Sequence, residues 1–262
     1  MEISPANPVR ESPRGKRVSL FVTCMVDMLY PQTGWAVVDL LEHLNIEVDF
    51  PHEQTCCGQP AFNGGERSPA KQVAIHFLKT FKDTEVIVAP SGSCTAMVCH
   101  EYPLLFADDP EWLPAAQRAA SITWEFSEFL VDGLGINDLH LRLPKPATFA
   151  FHDSCHGLRM MGLGTAARTL LKNTENAEIV ELAENDVCCG FGGLFAVKMA
   201  DVSGAMLERK LTNIEGCSAS TIVCGDVSCM THMNGGLSRR KTDKRVRHIA
   251  DVLADGLEVR TK

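Results

Sequence analysis

The chain has 262 residues, of which 45% are hydrophobic and 22% are charged, so a packed core is expected and a wholly disordered chain is excluded. Its 25 basic and 33 acidic residues give a net charge of −8, which provides no general electrostatic attraction to nucleic acid or to an anionic membrane. No apolar run approaches the roughly 18–20 residues that cross a bilayer, so no membrane span is expected.

The N-terminal segment, residues 1–16, contains three prolines and no apolar stretch. This composition is not typical of a signal peptide, and we expect a flexible tail on a soluble, cytoplasmic protein. At about 100–150 residues per domain, the remaining length corresponds to two modest domains or a single large one.

Strand patterns alternate with helix patterns from residue 17 onward. In the first half, short runs of β-branched and aromatic residues predict strands at 17–23, 47–50 and 85–89. Apolar residues at helical spacing predict helices at 37–44 and 73–81.

The second half repeats this order. Strands are predicted at 148–152, 177–181 and 220–223, and helices at 165–172 and 202–213. Strands that alternate with helices favour an α/β fold with parallel sheets and right-handed crossovers.

A proline-rich stretch at 103–114, a predicted helix at 124–134 and the segment 143–146 join the two halves. We therefore expect one domain at 17–140 and a second at 141–262.

The cysteines indicate an internal duplication. Eleven are present, and eight of them occupy matching places in the two halves: Cys24, Cys56, Cys57 and Cys94, and then Cys155, Cys188, Cys189 and Cys229. The motif Cys56-Cys-Gly58 recurs as Cys188-Cys-Gly190, and similar strand patterns precede the last cysteine of each half. Three matches in register are hard to obtain by chance, so the chain is predicted to be a duplication.

Each of these cysteine positions follows a predicted strand. The carboxyl ends of parallel strands meet at one edge of a sheet, so the four cysteines of each half should converge there. Four thiolates are the ligand set of an iron–sulfur cluster. We predict one cluster per half, of the [4Fe–4S] type, with the eight repeated cysteines as its metal ligands.

Zinc is the competing interpretation, since it also takes four thiolates. The adjacent pairs Cys56–Cys57 and Cys188–Cys189 disfavour it, because neighbouring side chains on an extended chain point in opposite directions and chelate a single small ion poorly. The C-x2-C spacing typical of zinc sites is also absent from these positions. Thiol or disulfide chemistry without metal is the third alternative.

Several other residues near these positions have two interpretations. The three cysteines without a counterpart in the repeat are either buried small side chains or additional ligands: Cys99, Cys217 and Cys224. Three histidines are either structural or act as ligands, proton acceptors or hydrogen-bonding groups: His152, His156 and His232.

One basic segment interrupts the acidic average between Arg239 and Arg247. It is either a solvated helix face or a docking surface for an acidic redox partner.

These motifs resemble the CCG, or cysteine-rich-domain, family, which includes the cysteine-rich subunit of heterodisulfide reductase and the iron–sulfur subunit of glycolate oxidase. Within it, the chain is most similar to the lactate utilisation protein A family, from about residue 16 to residue 257. The similarity is carried by five segments: Thr23–Pro31, Gln54–Asn63, Ser91–Met97, His152–His156 and Cys188–Gly193.

The resemblance implies two duplicated, Rossmann-like α/β lobes related by a pseudo-two-fold axis. It also implies a cytoplasmic iron–sulfur electron-transfer subunit of a system that oxidises L-lactate to pyruvate with two other proteins. In the heterodisulfide reductase relative each full motif ends in C-x2-C and supplies a fifth thiolate, whereas here Met97 and His232 stand at that position. Four-thiolate electron transfer therefore fits this sequence better than direct disulfide chemistry.

The residues leave two other functions open. One is an oxidoreductase subunit like heterodisulfide reductase or glycolate oxidase that acts on a disulfide or another 2-hydroxy acid. The other is a non-catalytic scaffold that carries clusters or zinc.

Overall fold

The structure, a computed structural model, describes residues 9–257. Its first lobe contains a parallel sheet with the strand order β2-β1-β3-β4. The strands are β1 (Val18–Leu20), β2 (Val48–Asp49), β3 (Val86–Ala89) and β4 (Thr123–Glu125). All residues of β1 and β3 are buried, as expected for central parallel strands covered by helices on both faces.

The helices of the first lobe follow its strands. They are α1 (Cys24–Leu29), α2 (Pro31–His43), α3 (Gln59–Asn63), α4 (Arg67–Thr80), α5 (Gly92–Ala96), α6 (Tyr102–Leu105), α7 (Leu113–Ile122) and α8 (Phe126–Glu128). A π-helical turn follows α5 at Met97–Glu101 and another follows α8 at Phe129–Gly133. Pro31 begins α2, at a position where a backbone N–H has no partner within the helix.

The second lobe has the equivalent strand order, β6-β5-β7-β8. Its strands are β5 (Arg142–Phe151), β6 (Glu175–Ile179), β7 (Thr221–Cys224) and β8 (Arg245–His248). Its helices are α9 (Cys155–Arg159), α10 (Ala166–Lys172), α11 (Leu194–Lys198), α12 (Ala200–Gly216), α13 (Val227–Arg240) and α14 (Ile249–Ala254). The prediction of an α/β fold with two duplicated lobes and parallel sheets is confirmed.

A common hydrophobic core holds the two lobes together. Leu40 of α2 and Val252 of α14 are both fully buried in it, because α2 packs against α14. The hydroxyl of Thr33 also donates a hydrogen bond to Asp251 Oδ2 across this contact, over 3.1 Å. The lobes are therefore fixed relative to each other by apolar packing, the dominant favourable contribution to folding.

The sequence predicted three strands in each half, and the structure has four. The predicted helix at 124–134 was wrong at its start, because Thr123–Glu125 forms β4 and pairs with β3. The interpretation of the whole basic segment as a helix face was also wrong, because α13 ends at Arg240 and Arg245–His248 forms β8 beside β7. In both cases an open sheet edge provides pairing partners that local sequence does not reveal.

Residues 1–8 of the expected flexible tail lie outside the described residues. The described part contacts the first lobe: Arg10 forms an ion pair with Glu128 and lies over the ring of Trp124 at 4.6 Å. The N–H of Glu11 donates to the carbonyl oxygen of Ser121 over 3.2 Å. Within residues 9–257, no helix combines the length and apolar character that a membrane span requires.

Candidate functional site

The four cysteines of the first lobe meet at the carboxyl edge of its sheet. Cys24 begins α1 directly after β1, Cys56 and Cys57 follow β2, and Cys94 lies in α5 after β3. The Sγ atoms of Cys24 and Cys56 are 3.7 Å apart, and those of Cys57 and Cys94 are 3.4 Å apart. The structure therefore brings these thiols together, as expected from the positions of the strand ends.

The second lobe repeats this arrangement. Cys155 begins α9 after β5, Cys188 and Cys189 follow β6, and Cys229 lies in α13 after β7. The Sγ atoms of Cys189 and Cys229 and a ring nitrogen of His152 lie within 4.8 Å of one another. This spacing is compatible with binding to a common metal centre.

Both sets of cysteines line a single cavity of about 160 Å³ between the lobes. Each set has two buried thiols and two partly exposed ones. The buried thiols are those of Cys57, Cys94, Cys189 and Cys229, and the partly exposed ones are those of Cys24, Cys56, Cys155 and Cys188. Each set therefore has one pair of thiols shielded from water and one pair that solvent can reach.

The glycine after each cysteine pair has a backbone that other residues rarely adopt. Gly58 has a φ of +83° and Gly190 a φ of +92°. In these conformations the N–H of Gly58 donates to Cys56 Sγ over 3.3 Å, and that of Gly190 donates to Cys188 Sγ over 3.4 Å. These N–H groups stabilise negative charge on sulfur, which explains why glycine follows the pair in both lobes.

In both lobes, a hydrogen bond between two thiols lowers the pKa of one and raises the pKa of the other. A hydrogen bond from Cys24 is the main cause that lowers the pKa of Cys56 to about 2, and one from Cys155 does the same for Cys188. The same hydrogen bonds, together with burial, raise the pKa of Cys24 and of Cys155. The thiolate is therefore favoured at Cys56 over Cys24 and, in the second lobe, at Cys188 over Cys155.

Asp226 connects the two sets and is 1% exposed. Its side chain caps α13 by accepting a hydrogen bond from Ser228 N over 3.0 Å. It also accepts one from Ser93 N in the other lobe, over 2.8 Å. Because Cys94 and Cys229 lie on the helices that begin here, this carboxylate fixes one set of thiols relative to the other.

Lys210 lies behind the second set and is also 1% exposed. Its ammonium group donates to the carbonyl oxygen of Glu184, while burial lowers its pKa. Burial, followed by repulsion from Lys210, lowers the pKa of His152 to about 4, so this imidazole is neutral near pH 7. The second set therefore has a buried cation and a neutral histidine beside it.

Neither Asp226 nor Lys210 was predicted from the sequence as a site residue. The repeat held a signal for Asp226, because it stands where Ser91 stands in the first half, three residues before the last cysteine. A lysine within an amphipathic helix usually extends into solvent, so the sequence carried no signal for the burial of Lys210.

The other candidate residues lie apart from the cavity or at its edge. Cys99 and Cys224 are buried elsewhere, and Cys217 donates weakly to the carbonyl oxygen of Glu181. His156 lines the cavity with its Nδ1 3.6 Å from Cys155 Sγ.

The basic segment makes several contacts within the chain. Arg240 forms ion pairs with Glu208 and Glu215, and Arg247 forms one with Asp255. Lys244 donates to two backbone carbonyl groups. Part of its charge is therefore neutralised by neighbouring carboxylates.

Comparison with known proteins identifies relatives of this chain. The family described as "CCG: Cysteine-rich domain" matches residues 18–99 and 149–234, and each match contains one set of four cysteines. Lactate utilization protein A of Exiguobacterium sp. is 45% identical over 243 residues, which cover 92% of this chain and 98% of that protein. The protein of the same name from Macrococcus caseolyticus is 46% identical over 245 residues, covering 94% of this chain and 99% of that protein.

A solved structure has the same general fold. It is a hypothetical protein from Helicobacter pylori, with a TM-score of 0.61 and 9% identity, and the match covers 95% of this chain. This chain spans 50% of that protein's length. The likeness supports the fold alone, whereas the matches of sequence extend over nearly the whole chain. The protein therefore belongs to the CCG cysteine-rich domain family and, within it, to the lactate utilization protein A family.

Proposed function

We propose that this chain is an iron–sulfur electron-transfer subunit of a system that oxidises L-lactate to pyruvate. The observation that carries the proposal is the cavity between the lobes, which all eight repeated cysteines line. The relatives named lactate utilization protein A support lactate as the substrate of the whole system.

The donor groups in each lobe fit a [4Fe–4S] cluster. We assign one cluster to each of the domains 17–140 and 141–262, with the four repeated cysteines of that domain as ligands. A bound cluster of this type accepts and releases single electrons. The chain's own contribution is to hold the cluster by its thiols, to stabilise charge on sulfur through the N–H groups of Gly58 and Gly190, and to exclude water at the buried thiols.

Electron transfer is favoured over disulfide reduction at a cluster. Met97 and His232 stand where a fifth thiolate would be, so neither set has that ligand. Oxidation of lactate releases two electrons and two protons, and two clusters in one cavity offer places for both electrons.

The partners in this proposal are the other subunits of the lactate-oxidising system. An acidic redox partner at Arg239–Arg247 has weaker support, because Arg240 and Arg247 already pair with carboxylates of this chain. We propose the cytoplasm as the location, since a reducing compartment keeps this many thiols available for metal.

The test is lactate-dependent reduction of the clusters. The chain is purified without oxygen together with its partner subunits, and its EPR signal is recorded before and after L-lactate is added. The proposal expects a signal of reduced clusters that depends on both lactate and the partners. Clusters that respond to a disulfide substrate without partners, or that never respond to lactate, contradict it.

Zinc binding is the second candidate. It is favoured by the group of His152, Cys189 and Cys229, whose donor atoms lie within 4.8 Å of one another and are of the types that zinc binds. Metal analysis separates the two candidates, because zinc binding requires no inorganic sulfide.

A further inference from the structure

One difference between the two sets of cysteines lies at a pair of equivalent positions beside them, Phe21 and His152. Each lies three residues before the first cysteine of its lobe. The N–H of Phe21 donates to Val88 O and that of His152 to Val223 O, both over 2.9 Å, so the two residues have the same place beside the central strands. The same backbone position therefore carries a phenyl ring in the first lobe and an imidazole in the second.

The surroundings of the two side chains differ accordingly. Phe21 packs edge-on against Phe77 with ring centroids 4.9 Å apart, in a wholly apolar setting. His152 is 1% exposed and has Lys210 and the carbonyl oxygen of Asn185 as neighbours. A buried imidazole in this setting needs a partner for each of its ring nitrogens.

The hydrogen bond to Asn185 determines which nitrogen carries the proton. Nδ1 of His152 lies 3.1 Å from Asn185 O, and a carbonyl oxygen only accepts, so the proton is on Nδ1. The other nitrogen, Nε2, is then a lone-pair donor. It is buried and makes no hydrogen bond within residues 9–257.

A metal is the partner that suits this lone pair. A ring nitrogen of His152 is within 4.8 Å of the Sγ atoms of Cys189 and Cys229. Metal-ligating histidines commonly donate their second N–H to a backbone carbonyl, which orients the ring and selects the tautomer. Without a proton on Nε2, His152 cannot act instead as a hydrogen-bond donor to a cluster sulfide.

We propose that His152 Nε2 is a ligand of the metal centre in the second lobe. Because four irons have four terminal positions, the imidazole takes the place of one of the two partly exposed thiolates, Cys155 or Cys188. The inference rests on the proposed cluster in that lobe. The first centre then has sulfur ligands alone, and the second has mixed sulfur and nitrogen ligands. Because replacing thiolate by imidazole character raises the reduction potential of an iron–sulfur centre, the second centre is the better electron acceptor of the two.

The test uses pulsed EPR on the reduced full-length protein, purified without oxygen and labelled with [15N]histidine. We expect a nitrogen hyperfine coupling that changes with the isotope and is lost in His152→Phe, which copies the first lobe. His152→Gln serves as a second variant in case the phenyl ring is not tolerated. His156→Phe and His232→Phe are matched controls, and both should keep the coupling.

The possible outcomes separate this inference from the proposed function. A coupling that is absent from wild-type protein with intact clusters, or that survives in a folded His152 variant, overturns the ligand assignment and leaves the clusters in place. Protein without iron and sulfide overturns both proposals. If neither His152 variant folds, the double variant His156→Phe/His232→Phe decides, because it must retain the coupling if His152 is the ligand.

Discussion

Ser91 and Asp226 face each other in an antiparallel bridge between the two lobes, although they are equivalent positions of the repeat. The hydroxyl of Ser91 donates to Asp226 Oδ2 over 3.4 Å, and Gly92 N donates to Gly225 O over 3.2 Å. Equivalent residues meet only near a two-fold axis, so the pseudo-symmetry axis passes here. The last cysteine of each set lies three residues beyond this bridge, which explains why the two sets share a cavity.

This relationship predicts that Asp226→Asn destabilises the protein. An amide has a single acceptor oxygen in place of two, so the N–H of either Ser93 or Ser228 loses its partner. The expected loss is about 1–3 kcal/mol in the free energy of unfolding, measured by denaturant titration. The exposed Asp83→Asn is the control and should change stability by less than about 0.5 kcal/mol. Equal stability of the two variants would show that the bridge is not a structural requirement.

Lys210→Met should lower the reduction potential of the second centre. The buried ammonium lies close enough to Cys188 and Cys189 to affect their charges, and it stabilises the more negative, reduced state. We expect a decrease of roughly 60 mV or more, which corresponds to a factor of ten for one electron, in an EPR-monitored redox titration. The exposed Lys172→Met removes the same charge and should leave the potential unchanged. A shift of equal size in both variants would contradict a local effect.

Gly190→Ala should reduce both stability and metal content. The added Cβ would lie 2.7 Å from the carbonyl oxygen of Ser203, on a backbone with a φ of +92°. Such strain costs about 1–3 kcal/mol, and relief of it would move the N–H that donates to Cys188. Gly204→Ala is the matched control, because its Cβ meets no atom within 4 Å and alanine favours the helix α12. Full metal content in both variants would contradict a requirement for glycine at position 190.

The raised pKa of the buried Glu125 carboxyl group leads us to expect that stability depends on pH. Burial raises its pKa from 4.5 to about 7, so the folded state binds this proton more tightly than the unfolded state. The contribution of Glu125 to the free energy of unfolding therefore falls as the pH rises from 4.5 to about 7, by at most about 3 kcal/mol. Glu125→Gln lacks this titration. Over this pH range the free energy of unfolding of the variant should rise relative to that of the wild type. A constant difference between the two would contradict the raised pKa of Glu125.

The sequence predicted the features that depend on short segments. Runs such as Val86–Ala89 predicted the central strands, and the repeat predicted that Cys24 and Cys94 meet although 69 residues lie between them. Two of the four edge strands, β4 and β8, were missed because Thr123–Glu125 and Arg245–His248 are short and carry charged residues. Only pairing with a preformed sheet makes them strands.

The chemical properties of His152 and Lys210 depend on contacts with residues that are distant in the sequence. The free lone pair of His152 follows from the carbonyl group of Asn185, 33 residues away, and no local motif reports that hydrogen bond. The burial of Lys210 likewise follows from how α12 packs behind the second set of cysteines. The repeated thiols could therefore be predicted from the sequence, whereas the groups around them are revealed only by the structure.

The central claim, that each lobe holds its own cluster on its own repeated cysteines, is tested most directly by iron and acid-labile sulfide analysis. The wild type, Cys57→Ser and Cys189→Ser are compared after anaerobic purification. We predict about eight iron and about eight sulfide per wild-type chain, and loss of about half of both in either variant. Zinc without sulfide in the wild type, or an unchanged iron content in both variants, would contradict the account.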